Sequence, residues 1–310
     1  MAALQKIYNP KKMTYASMTI VDTPGLSRDQ SQDHGHGPDR NPSRLAQLRE
    51  SADCIVCVIP TFNDSDPQKE INALKEDLIL ADLEIVSNRI TRIGEQKKRP
   101  LPKAEQDRQQ LELDTLLLIQ ESLEAGQMPS WQQLTPDQRG IVRAFRLFLE
   151  KPRMILINTG DEETDHAKYQ PLSTPEVPVV AVSVGLEKEL AAMNESERQA
   201  FLEEMELPST DRDALLRLIL DASGQSVFIT AGDKEVRTWL VRKDATALEC
   251  AEAIHTDMAR GFIRAEVMQS DDLIRLGSER AVKAENLARR EPKDYIVKEG
   301  DILLFHFSSK

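Results

Sequence analysis

The feature that most constrains the fold is a set of short apolar, β-branched runs, each of which stops at a polar or turn-forming residue. Three of them are residues 19–21, residues 54–59 and the segment "RMILIN", which ends at Asn158. A further run, "VPVVAV", ends just before Ser183. Continuous apolar runs of this length are typical of buried strands, and segments with a helical pattern lie between them. The sequence therefore predicts an α/β fold.

The segment from residue 67 to residue 150 has a helical rather than a strand pattern. Apolar residues recur three or four positions apart from Ile71 to Ile85, on a stretch that a polar segment, "GEQKKRPLPK", brings to an end. A second helical pattern runs from about residue 104 to residue 125. Two long helices joined by a short polar loop are expected to pack as an antiparallel hairpin.

The last part of the chain, residues 227–310, is strand-rich, and we expect it to form a compact α+β module. The chain has a net charge of −12, but almost all of the acidic excess precedes this module. Its basic residues could gather on a face that binds RNA or lie in a solvated surface of mixed charge. The candidates for a basic face are Arg237, Arg242, Lys243, Arg260 and Arg264.

The composition also indicates where such a chain works. No run approaches the roughly 18 consecutive apolar residues of a membrane span, and the N-terminus "MAALQKIYNPKK" has no signal-peptide core. The 3 cysteines cannot form a disulfide framework. We therefore expect a cytoplasmic protein with no membrane partner. Cys54 and Cys57 form a C-x-x-C, which we interpret as buried structural thiols rather than a redox or zinc pair.

The end of the first apolar run indicates a phosphate and metal site. Residues 19–26 read "TIVDTPGL", in which Asp22 and Gly25 form a D-x-x-G. In phosphate-handling NTPases such an aspartate holds Mg²⁺ and the glycine amide senses the γ-phosphate. We therefore take Asp22 as a candidate metal ligand and Gly25 as a candidate nucleotide-binding residue.

The ends of two later strands indicate a site for a nucleotide base. Asn158 and Asp161, in "NTGD", follow a strand as the base-reading N-K-x-D of GTPases does. The amide and the carboxylate can both form hydrogen bonds with a base. Ser183 and Gly185, in "SVG", follow the next strand, where a backbone N–H usually completes such a pocket. These four residues are the candidate base-binding residues.

The loop that normally cradles the phosphates is missing from this sequence. None of the 13 glycines is followed by lysine, so there is no G-x-x-x-x-G-K-[ST] motif. That loop supplies charge-assisted hydrogen bonds worth about 1.5–3 kcal/mol each. Leu26 occupies the position at which Ras-like enzymes have the glutamine that orients the attacking water. We assign no catalytic residue and expect this chain to hydrolyse neither ATP nor GTP.

Several longer segments resemble the YchF family, which comprises Obg-related P-loop proteins. They are "IYNPKK", "DLILADLEIVSNRI", "ESLEAGQ", "ITAGDKEVRTWLVRK", "AIHTDMARGFIRAEVM" and "KDYIVKEGDILLFHF". The resemblance covers essentially the whole chain. It implies a truncated Ras-like P-loop NTPase domain at residues 1–66 and 151–226, an inserted antiparallel coiled-coil hairpin at 67–150, and a β-grasp-like TGS domain at 227–310. It further implies binding and hydrolysis of ATP (or GTP) with Mg²⁺, and association with ribosomes or RNA through the TGS domain and the hairpin.

Two features leave the choice of nucleotide open. The resemblance implies a preference for ATP and a hydrophobic residue at the position of Leu26. However, Asp161 stands where the family has glutamate, and an aspartate there can accept hydrogen bonds from guanine N1–H and N2–H₂ together. With an upstream P-loop restored, we expect ATP rather than GTP, because Thr159 replaces the lysine that normally follows the asparagine of guanine readers and Asp161 is one methylene shorter than the family's glutamate.

The chain begins just downstream of the position at which the family has its P-loop. In one interpretation Met1 is an internal methionine of a longer NTPase; in the other the chain is a pseudo-NTPase that acts as an RNA- or ribosome-binding adaptor. In a Ras-like sheet the strand before the P-loop lies between the strand that ends at Asp22 and the strand at residues 54–59. Its loss would leave both strands without a ladder partner, which favours the first interpretation.

Overall fold

The computed structural model describes residues 1–23, 42–62, 65–96, 102–127, 133–205 and 212–308. The helices are α1 (Ala2–Tyr8), α2 (Pro42–Ser51), α3 (Pro67–Gln96), α4 (Lys103–Glu124), α5 (Pro136–Phe145), α6 (Val184–Ala192), α7 (Glu195–Met205), α8 (Arg212–Ala222), α9 (Ala247–Ile254), α10 (Thr256–Arg260), α11 (Ser270–Leu276) and α12 (Glu279–Ala284). The strands are β1 (Lys12–Thr14), β2 (Ile55–Pro60), β3 (Arg153–Asn158), β4 (Val179–Val182), β5 (Gln225–Thr230), β6 (Glu235–Arg242), β7 (Phe262–Gln269), β8 (Arg289–Glu291) and β9 (Asp301–Phe307).

The chain divides into two compact units. One contains Pro24–Ser223 and is called here the central unit; the other contains Met1–Thr23 together with Gly224–Lys310 and is called the C-terminal unit. Each unit has its own sheet and its own apolar core. Within the described residues, each helix is too short or too polar to cross a lipid bilayer.

The sheet of the central unit is parallel, with strand order β2-β3-β4. Its strands are short β-branched runs, and one face buries Ile59, Ile155 and Val179 in a common core. A parallel sheet needs both faces covered, which explains why these strands read as continuous apolar runs. The α/β fold predicted from the sequence is confirmed at this level.

Two long helices of the central unit run side by side in opposite directions. Arg89 on α3 donates to both carboxylate oxygens of Glu112 on α4, at 2.7 and 2.8 Å. Between the helices lies an apolar seam that contains Val86, Ile93 and Leu116, all fully buried. The periodic apolar residues seen in the sequence form this seam, because residues three and four apart share one face of a helix.

A buried ion pair joins these helices to the rest of the central unit. Arg49 on α2 lies 2.5 Å from Asp82 on α3, and their side chains are 5% and 0% exposed. The Asp82 carboxylate also accepts hydrogen bonds from the backbone N–H groups of Phe148 and Leu149, at 2.9 and 3.0 Å. The Arg49 guanidinium lies 4.1 Å above the Phe148 ring. One carboxylate therefore holds together α2, α3 and the turn after α5.

The C-terminal unit contains a mixed sheet with strand order β1-β6-β5-β9-β7-β8. One face packs on α9 through Phe228, Ala265 and Phe305. Part of the other face is covered by α1, α11 and α12, which bury Met268 and Ile302. Side chains along each strand alternate between these two faces, as strand geometry requires.

The structure differs from the domain boundary expected at the N-terminus. Residues 1–23 belong to the C-terminal unit rather than to the domain that contains residues 24–66. Leu4 of α1 is 1% exposed and packs with Val236 and Leu273, and β1 pairs in parallel with β6. The physical reason is that β1 pairs with the edge strand β6, and α1 covers apolar side chains of β6 and α11.

The strand predicted at residues 19–21 is wrong. This segment has no regular secondary structure, and Ile20 and Val21 are 65% and 69% exposed. A β-branched run forms a strand only where another strand offers it hydrogen bonds, and no described strand pairs with it. Gly25 and Leu26 lie outside the described residues.

Candidate functional site

Two neighbouring strands of the central sheet end at the same edge and bring the predicted base-binding residues together. Asn158, the last residue of β3, is the register partner of Val182 at the end of β4. The backbone N–H of Thr159 continues the ladder to the Val182 carbonyl at 3.1 Å. Asp161 and the start of α6 follow at once. Ligands of α/β proteins commonly bind at this carboxyl edge.

Asn158 and Asp161 both accept hydrogen bonds from the first turn of α6. Asn158 Oδ1 accepts from the backbone N–H of Val184 at 3.2 Å. Asp161 Oδ1 accepts from the backbone N–H of Leu186 at 3.0 Å. The first N–H groups of a helix have no partner within the helix, so these two side chains satisfy them. Both side chains are thereby oriented with one polar atom fixed.

The remaining polar atoms of this pair are available for further hydrogen bonds. Asn158 Nδ2 and Asp161 Oδ2 make no hydrogen bond within the described residues. Asp161 is exposed and Asn158 is partly exposed. The edge of the sheet therefore presents one hydrogen-bond donor and one acceptor to solvent, each on a side chain whose other polar atom is held by α6.

Gly185 is required by the position of Asp161. A Cβ atom at residue 185 would lie 2.7 Å from Asp161 Oδ1 and 3.0 Å from Oδ2. Non-bonded carbon and oxygen atoms do not approach so closely, so any other residue would displace the carboxylate. The structure thus gives Gly185 a steric role, in addition to the backbone N–H role expected from the sequence.

Hydrogen bonds of buried hydroxyl groups hold the loop from Thr159 to Asp161 in place. The hydroxyl groups of Thr159 and Ser183 are 2.8 Å apart, and the two residues are 2% and 4% exposed. Ser183 also donates to the Gly160 carbonyl at 3.2 Å, and His166 Nε2 lies 3.4 Å from the Thr159 hydroxyl. The side chain of Ser183 therefore faces the protein interior. Sequence reasoning missed Thr159 and His166 in this role, since a buried hydrogen bond beneath a loop leaves no spacing pattern in the sequence.

An exposed aromatic side chain lies beside the same loop. Phe62 follows β2 and is 63% exposed, and its Cβ lies 3.8 Å from the position that a Cβ atom on Gly160 would have. The neighbouring Thr61 donates its backbone N–H to the Asn158 carbonyl at 3.0 Å. An exposed ring at this edge of the sheet offers a surface on which a planar group could stack. The phenylalanine in "TFND" was a signal that could have been read for this role.

The structure describes only one of the two residues predicted for the metal and the γ-phosphate. Asp22 is an exposed residue of the C-terminal unit, whereas Asn158 and Asp161 belong to the central unit. Gly25 lies outside the described residues. In the part of the chain that the structure describes, no three His, Cys, Asp or Glu side chains come together as a metal site.

The C-x-x-C of the central unit has the properties of structural thiols. Burial raises the pKa of the Cys57 thiol to about 11, and burial also raises the pKa of Cys54. A protonated thiol is neither a good nucleophile nor a metal ligand.

The basic residues of the C-terminal unit do not form one patch. Arg237 stacks on Trp239 at 3.8 Å, on the face of the sheet that packs against α9. Arg264 belongs to the opposite face, because its neighbour Ala265 is buried against α9. Two of the candidates therefore lie on opposite sides of the same sheet.

The other basic candidates have acidic or other partners. Arg242 pairs with Glu249 at 3.0 Å, and Arg260 lies 3.7 Å from Asp257 on the same short helix. Lys243 is exposed and also has an interaction partner. The charges of Arg242 and Arg260 are therefore offset by a neighbouring carboxylate, which lowers the net positive charge of a face that contains them.

The chain is similar to a family model and to several named proteins. The family model YchF-GTPase_C, described as a protein of unknown function (DUF933), matches residues 226–308. The protein named ribosome-binding ATPase YchF from Haemophilus ducreyi is 31% identical over 320 residues, covering 99% of this chain and 85% of that protein. Its counterpart from Bacillus subtilis is 30% identical over 322 residues, covering 98% and 85%.

A solved structure shows the same fold. The YchF GTPase of Schizosaccharomyces pombe superposes with a TM-score of 0.75 at 23% identity, covering 98% of this chain and 84% of that one. The similarity thus extends over both units and the helices between β2 and β3. Because the chain shares this fold and is 31% identical to a YchF protein over nearly its whole length, it belongs to the YchF family.

Proposed function

We propose that this protein binds an adenine nucleotide at the edge of the central sheet and associates with ribosomes, as the names of its relatives state for them. The observation that carries the first part is the donor and acceptor pair formed by Asn158 Nδ2 and Asp161 Oδ2. Both side chains are oriented by the first turn of α6.

This pair complements adenine and not guanine. Adenine presents an acceptor, N7, beside a donor, the 6-amino group, whereas guanine presents two neighbouring acceptors, N7 and O6. Asn158 Nδ2 can donate to N7 in either base. Asp161 Oδ2 can accept from the adenine amino group, whereas it would face guanine O6, a second acceptor, with which it cannot form a hydrogen bond.

The alternative way of reading guanine is also disfavoured. A carboxylate that binds guanine N1–H and N2–H₂ together uses both of its oxygens, and Asp161 Oδ1 shares its acceptor capacity with the backbone N–H of Leu186. The backbone N–H of Val184 is bonded to Asn158 and is not free to donate to a base. Both contacts weaken the reading of guanine.

The phosphate end of the site is proposed to be weak in this chain. The sequence has no G-x-x-x-x-G-K-[ST]. Asp22 and Gly25 stay candidates for the metal and the γ-phosphate, and Mg²⁺ would supply charge neutralisation at the phosphates when bound. We expect no magnesium-dependent ATP or GTP hydrolysis above a buffer control.

A second candidate function is a non-catalytic adaptor that binds RNA or the ribosome. The observation in its favour is that the C-terminal unit has its own sheet and its own apolar core. It predicts ribosome cosedimentation that is independent of added ATP, whereas the first proposal predicts a change in cosedimentation when ATP is added.

The base assignment is tested with nucleotide analogues in NMR titrations of the full chain. Purine riboside triphosphate lacks the 6-amino group, and 7-deaza-ATP lacks the N7 acceptor. We expect ATP to bind about tenfold more tightly than either analogue or GTP, since one hydrogen bond to a charged group is worth about 1.5–3 kcal/mol. Asp161→Ala should abolish the difference between ATP and purine riboside triphosphate, and Asn158→Ala that between ATP and 7-deaza-ATP.

Glu162→Ala serves as the control, because it removes an exposed carboxylate next to Asp161. It should leave unchanged the affinity difference between ATP and purine riboside triphosphate and that between ATP and 7-deaza-ATP. A preference for GTP that Asp161→Ala abolishes would overturn the adenine assignment, and the absence of binding by all four nucleotides would overturn nucleotide binding by this chain.

A further inference from the structure

Strand β2 lies at one end of the central sheet and pairs on one side only. Its other edge has no partner among the strands that the structure describes. The pairing with β3 is continuous from Ile55 to Pro60, so the strand has no bulge, and it contains no charged residue. Proteins usually protect an edge strand with a charge, a bulge or a covering segment, because an open edge can pair with another chain.

The backbone groups of β2 alternate between the two edges. The N–H of Ile55 donates to the Pro152 carbonyl at 3.0 Å, at the start of the ladder with β3. Odd-numbered residues of β2 therefore direct their N–H and C=O groups toward β3, and even-numbered residues direct theirs away from it. The N–H and C=O groups of Val56 and Val58 thus lie on the open edge, without a partner in the described part of the chain.

The same strand also exposes an apolar side chain. Val58 is 60% exposed, whereas Ile55 and Ile59 are buried in the cores of the central unit. Val56 is partly exposed and lies on the same face as Val58, because side chains alternate along a strand. The open edge therefore combines unpaired backbone groups with apolar side chains that remain in contact with solvent.

A second copy of β2 complements this edge. Two antiparallel copies related by a twofold axis, with Cys57 opposite Cys57 of the second copy, place Val56 of each chain opposite Val58 of the other. Each pair of valines exchanges two hydrogen bonds, so the outward N–H and C=O groups of both residues are paired in both chains. The two opposed valines also cover each other's side chains.

Twofold pairing centred one residue later is less favourable. It would place Val56 opposite Pro60 of the second copy, and proline has no N–H to donate. The Pro60 carbonyl already accepts a hydrogen bond from the Ser65 hydroxyl. The register centred on Cys57 avoids both difficulties.

From these observations we infer that the protein forms a twofold dimer, in which the β2 strands of two copies pair in antiparallel orientation and join the two central sheets. A second copy is the occupant that the edge fits, because the strand is uncharged and pairs with itself without leaving a backbone group of either valine unsatisfied. This inference is independent of the proposed binding of nucleotides and ribosomes.

The first test uses the unmodified full chain over a range of concentrations. Analytical ultracentrifugation gives its mass, and hydrogen exchange resolved to single residues is measured on the same samples. We expect a dimer that forms as the concentration rises, in which the amides of Val56 and Val58 exchange at least about tenfold more slowly than in the monomer. The amides of Cys57 and Ile59, which face β3, should exchange slowly at every concentration.

The second test uses variants at position 58. Val58→Pro removes an N–H from the open edge and none from the ladder with β3, and proline is tolerated at such an edge position. It should raise the Kd of the dimer about tenfold or more, since two hydrogen bonds are lost per dimer. Val58→Thr is the matched control, because it keeps the N–H and a β-branched side chain, and it should change the Kd less than about threefold.

Circular dichroism melting shows whether each variant is folded. If Val58→Pro is unstable, Val58→Lys tests the same edge, because a charge at this exposed position disfavours strand pairing between chains and should also raise the Kd. An unchanged Kd in the folded variants would overturn the pairing through β2.

The unmodified protein can also contradict the inference. A chain that stays monomeric at every concentration would exclude the dimer, and slow exchange of Val56 and Val58 in such a monomer would show that another segment occupies the edge. A dimer in which these two amides exchange as fast as in the monomer would mean that the copies meet at another surface. Each of these results would leave the proposed nucleotide and ribosome binding untouched, since those are measured separately.

Discussion

The residue with the largest predicted effect on stability is Asp82. Its carboxylate is fully buried and satisfies Arg49 and two backbone N–H groups. Removal of one partner of a buried ion pair leaves an uncompensated charge, which typically costs about 3–5 kcal/mol. We expect Asp82→Ala to lower the free energy of unfolding of the central unit by about this amount, measured by hydrogen exchange in increasing urea.

The control for this prediction is Glu84→Ala, which removes an exposed carboxylate from the same helix and should change stability by less than about 0.5 kcal/mol. The double variant Arg49→Met/Asp82→Leu removes both charges. It should stay destabilised, because the N–H groups of Phe148 and Leu149 still lose their acceptor. Full recovery in the double variant would show that the charge pair alone accounts for the effect.

Gly185 provides a second prediction at the scale of single residues. Gly185→Ala places a Cβ atom within 2.7 Å of Asp161 Oδ1, so the carboxylate must leave the first turn of α6. We expect the Kd for ATP to rise about tenfold through the loss of the oriented acceptor, measured by NMR titration.

Gly140→Ala is the matched control, because a Cβ atom there meets no atom within 4 Å. Since Gly140 lies within α5, this change should stabilise the protein by about 0.5–1 kcal/mol and leave ATP binding unaltered. Equal ATP affinity in Gly185→Ala and the unmodified protein would argue against contact between Asp161 and the base.

At the scale of elements, the N-terminal segment is predicted to be a structural part of the C-terminal unit. Leu4 is 1% exposed and packs against residues of β6 and α11. A buried leucine replaced by alanine typically costs about 2–5 kcal/mol. We expect Leu4→Ala to destabilise the C-terminal unit by this amount, measured by urea unfolding with Trp239 fluorescence in a Trp131→Phe background.

Gln5→Ala, at an exposed position of the same helix, should shift the unfolding midpoint little. The same packing implies that a fragment that begins at residue 227 loses β1 and α1, and with them the cover of Val236. RNA binding is therefore better tested with variants of the full chain than with such a fragment. An unaltered midpoint in Leu4→Ala would mean that α1 does not pack on this unit in solution.

At the scale of the whole molecule, the two units are predicted to respond separately to mutation. Each unit has its own sheet and its own buried clusters, and units of this kind commonly unfold as separate cooperative blocks. Hydrogen exchange with mass spectrometry should show faster exchange in Asp82→Ala only for peptides from Pro24–Ser223. In Leu4→Ala the faster peptides should come from Met1–Thr23 and Gly224–Lys310. Faster exchange throughout the chain in both variants would contradict separate units.

Much of the fold and part of the candidate site could be predicted from the sequence. The strands that end at Asn158 and before Ser183, and the long helices between residues 67 and 124, follow from local apolar periodicity. The candidate base-binding residues, from Asn158 to Asp161 and from Ser183 to Gly185, were found because they follow predicted strands. Strands of one α/β sheet end at a common edge. Family membership was also readable, since the motifs that carry it are contiguous in the chain.

Other features were decided by tertiary structure alone. The run at residues 19–21 has the composition of a strand but lacks a described strand to pair with, and α1 and β1 pack with a sheet that lies more than two hundred residues later. Residues far apart in sequence are likewise joined by the hydrogen bonds from the first turn of α6 to Asn158 and Asp161. The same holds for the ion pair between Arg49 and Asp82. Composition and spacing show only the local preference of a segment. The hydrogen-bond partner of an edge strand or of a buried polar atom depends on which distant segment reaches it, and only the folded chain decides this.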